Sequence, residues 1–410
     1  MRILQIIPSI SLVYGGPSQM VLGLSAALAA QGIDVTIITT DSNGDIGQLP
    51  LDVPLNQPIK QNGYQIIYFR CSPWRRYKFS VSLLQWLNAN ARQFDLAHIH
   101  AIFSPVTTLA ATIARGHNLP YIIRPCGMLD PADLQKKRQL KQIYAALLEG
   151  PNLAGAAAIH FTSKEEARIS ERFGLEITGK MPVPQDFGVQ NSTGKMPVPQ
   201  DLIIPLGVTT AGSFAKRLRE SQVPIVLFMS RIEPKKGLDL LIPALESILE
   251  SGVDFQFILA GSNPQDADYE TGIKVKIQHS SLAKYTTITG FVSGNRKNEL
   301  LTNADLFVLP SYYENFGIAV AEAMAAGVPV AISDRVHISE DIRQAEAGWV
   351  GPLEVDAIAN SIKSALLDPQ ERQRRGLNAK EYAKKHYNWE AIAQQTIDAY
   401  QHILSSIAKS

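Results

Sequence analysis

Short apolar runs alternate with helical stretches along this chain, and they do so twice. ILQII at residues 3–7, VTIIT at 35–39, YQIIYF at 64–69, LAHIH at 96–100, YIIR at 121–124 and AAIHFT at 157–162 read as six strands, separated by stretches such as SQMVLGLSAALAAQG, where Gly32 marks a helix stop. The pattern restarts with PIVLFM at 224–229, FQFILA at 255–260, TTITG at 286–290, ADLFVLP at 304–310 and VPVAI at 328–332. Alternation of this kind is the signature of parallel sheets with helices on both faces. The expected fold class is therefore α/β, with two doubly wound, Rossmann-like domains facing one another across a cleft. A length of 410 residues agrees, because a single core rarely organises more than about 250–300 residues. The expected boundaries are 1–205 for the first domain, 206–388 for the second, and 389–410 for a terminal helix that packs back on the first. Ligands in such sheets bind beyond the carboxyl ends of the strands.

Composition narrows the function classes. A formal net charge of +1 argues against a dedicated nucleic-acid binder. Cys71 and Cys126 lie far apart and in no metal-ligand spacing, which suggests a reducing compartment and no structural zinc. The opening MRILQIIPSI is interrupted by Pro8 too soon for a secretory signal, and no apolar run approaches the roughly 18 residues of a membrane span. The expected location is the cytoplasm, with the inner face of the membrane as an alternative. One oddity sits between the two halves: TGKMPVPQD occurs at 178–186 and again at 193–201. Its prolines and glycines predict a loop over 178–201, either a recognition segment or a tolerated insertion.

The second half carries the chemistry. A strand ending in Ser230 leads into Arg231, then Lys236, Gly237 and the periodic LDLLIPALESILE, so Arg231 and Lys236 bracket a turn that opens a helix. Two cations beside a helix N-terminus either make a site for a multiply charged anion such as a diphosphate or are an ordinary solvated surface pair. Further on, Glu314 and Glu322 stand eight positions apart in SYYENFGIAVAEAMAAGVPVAIS with nothing basic between them, so their partners must come from elsewhere in the chain or from a ligand. A helix starting near Gly317 leaves Glu314 on the preceding loop and puts Glu322 roughly 7–8 Å beyond the helix start. One acid can then accept hydrogen bonds from hydroxyls at one end of a sugar-containing ligand and the other from hydroxyls further along. Backbone N–H groups at Asn315, Phe316, Gly317 and Ile318 line the path between them.

SRIEPKKG followed by ENFGIAVAEAMAAGVPV resembles the donor-binding half of the retaining family-four glycosyltransferases of GT-B architecture, and YGGPSQ, AHIHAIFSP, RPCGMLDP, IPLGV and NWEAIAQQTIDAYQHIL recur in similar positions. The resemblance implies that Arg231 and Lys236 hold the diphosphate of a nucleotide-sugar, that Glu314 with the backbone of Phe316 and Gly317 holds the transferred sugar, and that Glu322 binds the ribose. It implies sugar transfer from a nucleoside-diphosphate sugar to a glycan or lipid-linked acceptor, in cell-surface polysaccharide or glycolipid synthesis. No separate cofactor and no metal are expected, since protein cations take the ion's role and no DxD-like cluster ends a strand. A nucleotide-sugar epimerase or hydrolase of the same shape, or a catalytically silent binder, is the alternative.

The first half is expected to hold the acceptor. Gly15 and Gly16 either let the backbone approach the donor phosphates or form a plain tight turn. His100, Arg124 and Cys126 are the acceptor-side candidates, with a structural role as the other reading of His100. Cys126 departs from the family, which frequently has histidine there. Segments 74–92 and 135–150 combine Trp74, Arg75, Arg76, Lys78, Lys136, Lys137, Arg138 and Lys141 with apolar residues, and either make a peripheral membrane contact or are ordinary amphipathic helices.

Overall fold

The computed structural model describes residues 1–44, 48–73, 75–135, 138–173, 199–209 and 223–408. The chain forms two compact units, Met1–Gly207 together with Trp389–Ser410, and Val208–Asn388. The division falls two residues beyond the expected 205/206 boundary.

Among the described residues the first unit is built on an eight-stranded sheet: β1 Arg2–Ile6, β2 Asp34–Thr40, β3 Pro58–Gln61, β4 Tyr64–Phe69, β5 Leu96–His100, β6 Tyr121–Arg124, β7 Ala158–Phe161 and β8 Gln200–Ile203. Their order is β3-β4-β2-β1-β5-β6-β7-β8, and only the β3–β4 pair is antiparallel. The second unit holds β9 Ile225–Met229, β10 Gln256–Ala260, β11 Thr286–Gly290, β12 Leu306–Leu309, β13 Val330–Ser333 and β14 Gly348–Gly351, parallel throughout in the order β11-β10-β9-β12-β13-β14. In each sheet the first strand lies centrally, β1 between β2 and β5, β9 between β10 and β12. Winding reverses there, so the flanking loops diverge and leave a crevice at the carboxyl edge.

The six and five strands expected from the sequence are all present. Three more were not legible. PIKQ of β3 is an exposed polar hairpin arm, and GWVG of β14 carries too few apolar residues to read as a strand. Glycine is required in the latter, since a Cβ on Gly348 would stand 2.0 Å from the Val330 carbonyl oxygen. The third, β8, begins inside the duplicated segment: Gln200 and Asp201 pair with β7, and Asp201 accepts a 2.9 Å bond from Arg172. The loop expected over 178–201 therefore ends before Gln200, and residues 178–198 lie outside the described residues.

The helix Trp389–Ala408 belongs to the first unit. Trp389 lies against Gly23 and Gly207, where a Cβ would come within 2.3 and 2.2 Å of the indole, so both positions need glycine for contact rather than for backbone freedom. Farther along, Tyr400 reaches the sheet core, which is polar at this point. His98, His100 and His160 are all buried there. Burial pushes each imidazole below its usual range, His160 to about 3, and the nearby Arg124 charge adds to the effect.

These depressed histidines dictate an acid sensitivity. The unfolded chain takes up protons that the folded chain refuses, so their contribution is fully present above about pH 6.5 and is lost as pH falls, at roughly 1.4 kcal/mol per pH unit for each histidine. The thermal midpoint of the first unit should fall between pH 7.5 and 5.5, followed by near-ultraviolet circular dichroism, and less steeply in His160→Gln. A midpoint independent of pH would show that the three rings take up protons as readily in the folded protein as in the unfolded one.

Candidate functional site

The second unit's crevice is built by the loops after β9 and β12. The first runs from Ser230 through a 3-10 turn, Pro234–Lys236, into Gly237 and the helix Leu238–Glu250. Gly237 has φ of 72°, and a Cβ there would stand 1.9 Å from the Pro310 carbonyl oxygen, so the two loops press together backbone to backbone. A second tie is the 2.8 Å bond from Tyr312 N–H to the Lys235 carbonyl.

This contact brings Lys236 to Glu314. Lys236 is only 7% exposed and its ammonium donates to Glu314 Oε2. Burial alone would raise the Glu314 carboxyl, but Lys236, Lys235 and Arg231 outweigh it and hold the group below its usual range. Burial likewise opposes the Lys235 charge, and Glu314 and Glu233 overcome it. Glu233 also receives Arg231 at 3.3 Å and Lys235 at 3.5 Å. Three cations thus meet Glu314 and Glu233 beside a helix N-terminus that has no side-chain cap, and a third carboxylate, Asp239 in the first turn of that helix, accepts from the Tyr312 hydroxyl at 2.7 Å. Arg231 remains 44% exposed at its side chain and is available to an incoming anion.

Glu314 sits on the loop before the helix Ile318–Ala325 and is anchored through its backbone, which accepts from His337 N–H at 3.0 Å and donates to the Arg335 carbonyl at 3.2 Å. Asn315 is half-buried, while the Phe316 ring turns into the core and packs edge-on to Tyr387 with centroids 5.2 Å apart. Only the backbone of Phe316 is therefore free to meet a ligand. Gly317, at φ 79°, starts the helix and Ile318 is its first residue. Glu322 lies in the helix with its partner supplied from another one, Lys297 of Gly294–Asn303, at 2.5 Å. Lys297 and Lys235 were assigned no role from sequence, and no local spacing marks them. Lys297 is recognisable only once α/β winding places its helix beside that of Glu322.

The remaining candidates lie in the first unit. Gly15, at φ 70°, caps the helix Gly16–Ala30 after β1. His100 and Arg124 end β5 and β6 as register partners, and Cys126 follows with φ of 56° and its Sγ 3.6 Å from the Arg124 carbonyl. Ala101 and Phe103 are also left-handed, at 72° and 55°. Three strained non-glycine residues thus surround one pair of strand ends, a pattern found at functional sites. Burial pushes the Cys126 thiol up, so it is a neutral group rather than a thiolate.

Residues 15–180 match the glycosyl transferase 4-like domain, and residues 212–382 match glycosyl transferases group 1. The chain is built of a glycosyl transferase 4-like domain and a glycosyl transferases group 1 domain. It is similar to an uncharacterized glycosyltransferase of Methanocaldococcus jannaschii, 34% identical over 183 residues that span 43% of this chain and 44% of that relative, under half its length. It aligns across 100% of its own length and 99% of the phosphatidyl-myo-inositol mannosyltransferase of Mycobacterium leprae at 24% identity. The fold matches that of Anabaena HepE in complex with UDP-glucose, with TM-score 0.70 and 19% identity over 99% of this chain and 100% of that one. Its architecture is accordingly that of the GT-B glycosyl transferases.

The Gly237–Pro310 approach generates a test. Gly290 has a similar φ of 70° but nothing within 4 Å of an added Cβ. Gly290→Ala should cost about 1 kcal/mol, from the backbone alone, and Gly237→Ala at least roughly 3 kcal/mol because the carbonyl must also be displaced. Equal costs in urea titrations would show that the loops are not in contact.

Proposed function

We propose that this glycosyl transferase moves a sugar from a nucleoside-diphosphate sugar to a glycan or lipid-linked acceptor with retention of anomeric configuration. The observation that carries the reading is the convergence of Arg231, Lys235 and Lys236 around Glu314, at the switch point of the second sheet. Breaking the sugar C1–O bond sends its electron pair to a diphosphate oxygen. Negative charge grows there while the sugar becomes cationic. A cation about 4 Å away contributes roughly 4 kcal/mol at an effective dielectric of 20, about a thousandfold in rate. We assign this role to Arg231 and Lys236 without a metal ion.

Glu314 contacts the transferred sugar and Glu322 the ribose. Lys297 occupies part of the Glu322 carboxylate, whose remaining lone pairs accept from ribose hydroxyls. Supporting the donor class, a protein of the same fold has been seen with UDP-glucose. In the proposed front-side course the acceptor oxygen bonds to C1 on the face the diphosphate leaves, and its proton passes to a departing phosphate oxygen. Gly15 and Gly16 provide backbone to the donor phosphates, and His100, Arg124 and Cys126 the acceptor side.

The two membrane segments separate on their packing. Leu83 and Leu87 are buried in the core, and Leu84 and Trp86 pack against it, with Trp86 set between Phe69 and Phe94. Those four apolar residues of 74–92 are thus spent internally, whereas Tyr77 and Val81 are exposed by 57 and 43% and Trp74 lies outside the described residues. Segment 135–150 instead exposes Leu140, Ile143 and Leu147 by 63, 59 and 70%, at helical spacing. We retain it as a peripheral membrane contact, although Lys141 turns to Asp133 at 2.8 Å rather than outward. No described helix is long and apolar enough to cross a membrane.

Release of nucleoside diphosphate from UDP-glucose and other donors, with candidate acceptors and in a strong chelator, tests the reading. Arg231→Ala or Lys236→Ala should lower turnover by two or more decades. Glu314→Gln should depress turnover while calorimetry finds nucleotide affinity nearly intact. Glu322→Gln should weaken nucleotide binding about ten- to a hundredfold, the worth of one charge-assisted hydrogen bond. Turnover restored only by added metal, or unchanged nucleotide affinity in Glu322→Gln, would overturn the corresponding assignment.

A further inference from the structure

The buried polar residues of the first unit form a chain whose direction can be deduced. His160 Nε2 lies 2.9 Å from the Ile204 carbonyl oxygen, which can only accept, so His160 Nε2 carries a proton and, in the neutral ring, Nδ1 is a bare acceptor. His98 Nε2, 3.2 Å from His160 Nδ1, must then be the donor. His98 Nδ1 is left to accept, and its partner at 2.8 Å is the Tyr400 hydroxyl. With its single proton committed, Tyr400 accepts from the Gln5 amide nitrogen at 3.3 Å. That fixes the Gln5 amide, whose oxygen faces His100 Nε2 at 2.6 Å and must accept from it. Every role follows from the first carbonyl.

The chain ends on His100 Nδ1, which is buried and has no partner among the described residues. His98 stacks on the His100 ring, with centroids 4.4 Å apart. On the neighbouring strand, at the paired register position, Arg124 is 3% exposed and its Nε–H also lacks a partner. One unfilled acceptor and one unfilled donor match the O–H and lone pairs of a single hydroxyl. The charged or titratable groups around His100 are Arg124 on β6, His98 on β5, His160 on β7, Tyr400 on the last helix and Cys126 after β6. None is a carboxylate in contact with it, and burial with the Arg124 charge keeps the ring neutral.

We propose that Gln5, Tyr400, His98 and His160 are positioning residues that hold His100 in its Nε2–H form, so that His100 Nδ1 and Arg124 Nε–H together take one hydroxyl group. That this hydroxyl belongs to the sugar acceptor rests on the function proposed above; the proton's position in the unliganded protein does not.

Long-range 1H–15N correlation spectra of the full-length chain carrying 15N-histidine read which ring nitrogen is protonated, with each signal assigned by its single-histidine variant. His98, His100 and His160 should all be Nε2–H, and His100 should not titrate between pH 8 and 5. Gln5→Met, which removes both amide bonds, should bring a detectable Nδ1–H form of His100. Gln5→Glu should let His100 take up a second proton, at Nδ1, within that range. A proton on His100 Nδ1 in the unaltered protein, or its titration between pH 8 and 5, would overturn the proposal. So would a folded Gln5→Met protein in which His100 keeps the Nε2–H form alone. If the variants fail to fold, the unaltered protein's spectrum decides, and all outcomes are independent of transferase activity.

Discussion

The close approach of the Gly237 backbone to the Pro310 carbonyl sets the geometry of the second unit. With side chains excluded from that contact, the loops leaving β9 and β12 meet directly, and the Lys235–Tyr312 backbone bond holds them in register. A lysine has about 2 kcal/mol of rotamer entropy to lose on being fixed. Packing its stem under a rigid pair of loops meets that cost once, in folding, so Lys236 is already aligned when a ligand arrives. The pairing with Glu314 also explains how the Lys236 ammonium can be buried, since an unpaired charge there would be costly.

The two units use their switch points in opposite electrostatic ways. In the second, three cations converge on the crevice, with Lys236 buried and the Arg231 side chain 44% exposed. In the first, the corresponding strands β1 and β5 carry neutral groups, Gln5 and two imidazoles, whose hydrogen bonds are directional and internally paired. Charge attracts at a distance, whereas a bare lone pair discriminates only at contact.

Much of this was legible in the sequence, for identifiable reasons. Central parallel strands are buried on both faces and read as continuous apolar runs, which is why β9 and β12 stood out and the exposed arm β3 did not. Glu314 and Glu322 were found because charge in apolar surroundings is conspicuous, and Arg231 and Lys236 because they bracket a turn that opens a helix. Their partners were harder. Glu314 and Lys236 could be connected only through a family resemblance, and Lys297 not at all, because ion pairs between residues 25 positions apart are created by winding and leave no periodic trace. His160 and Tyr400 sat in stretches read simply as a strand and a helix. Their polar atoms acquire meaning only from the Ile204 carbonyl, a backbone group that no residue type announces.

The first unit is discontinuous: its sheet is complete by Ile203, but the helix that supplies Trp389 and Tyr400 comes after the whole of the second unit. At the roughly 5–20 residues per second of synthesis, the intervening 208–388 stretch takes on the order of ten to forty seconds to emerge. During that time Gly23 and Gly207 face no indole, and the proton chain through His98 and Gln5 lacks the hydroxyl that joins its halves. The unit encoded second can therefore finish folding before the one encoded first, and the order of completion along the nascent chain runs opposite to the order of the genes' codons for the two sheets.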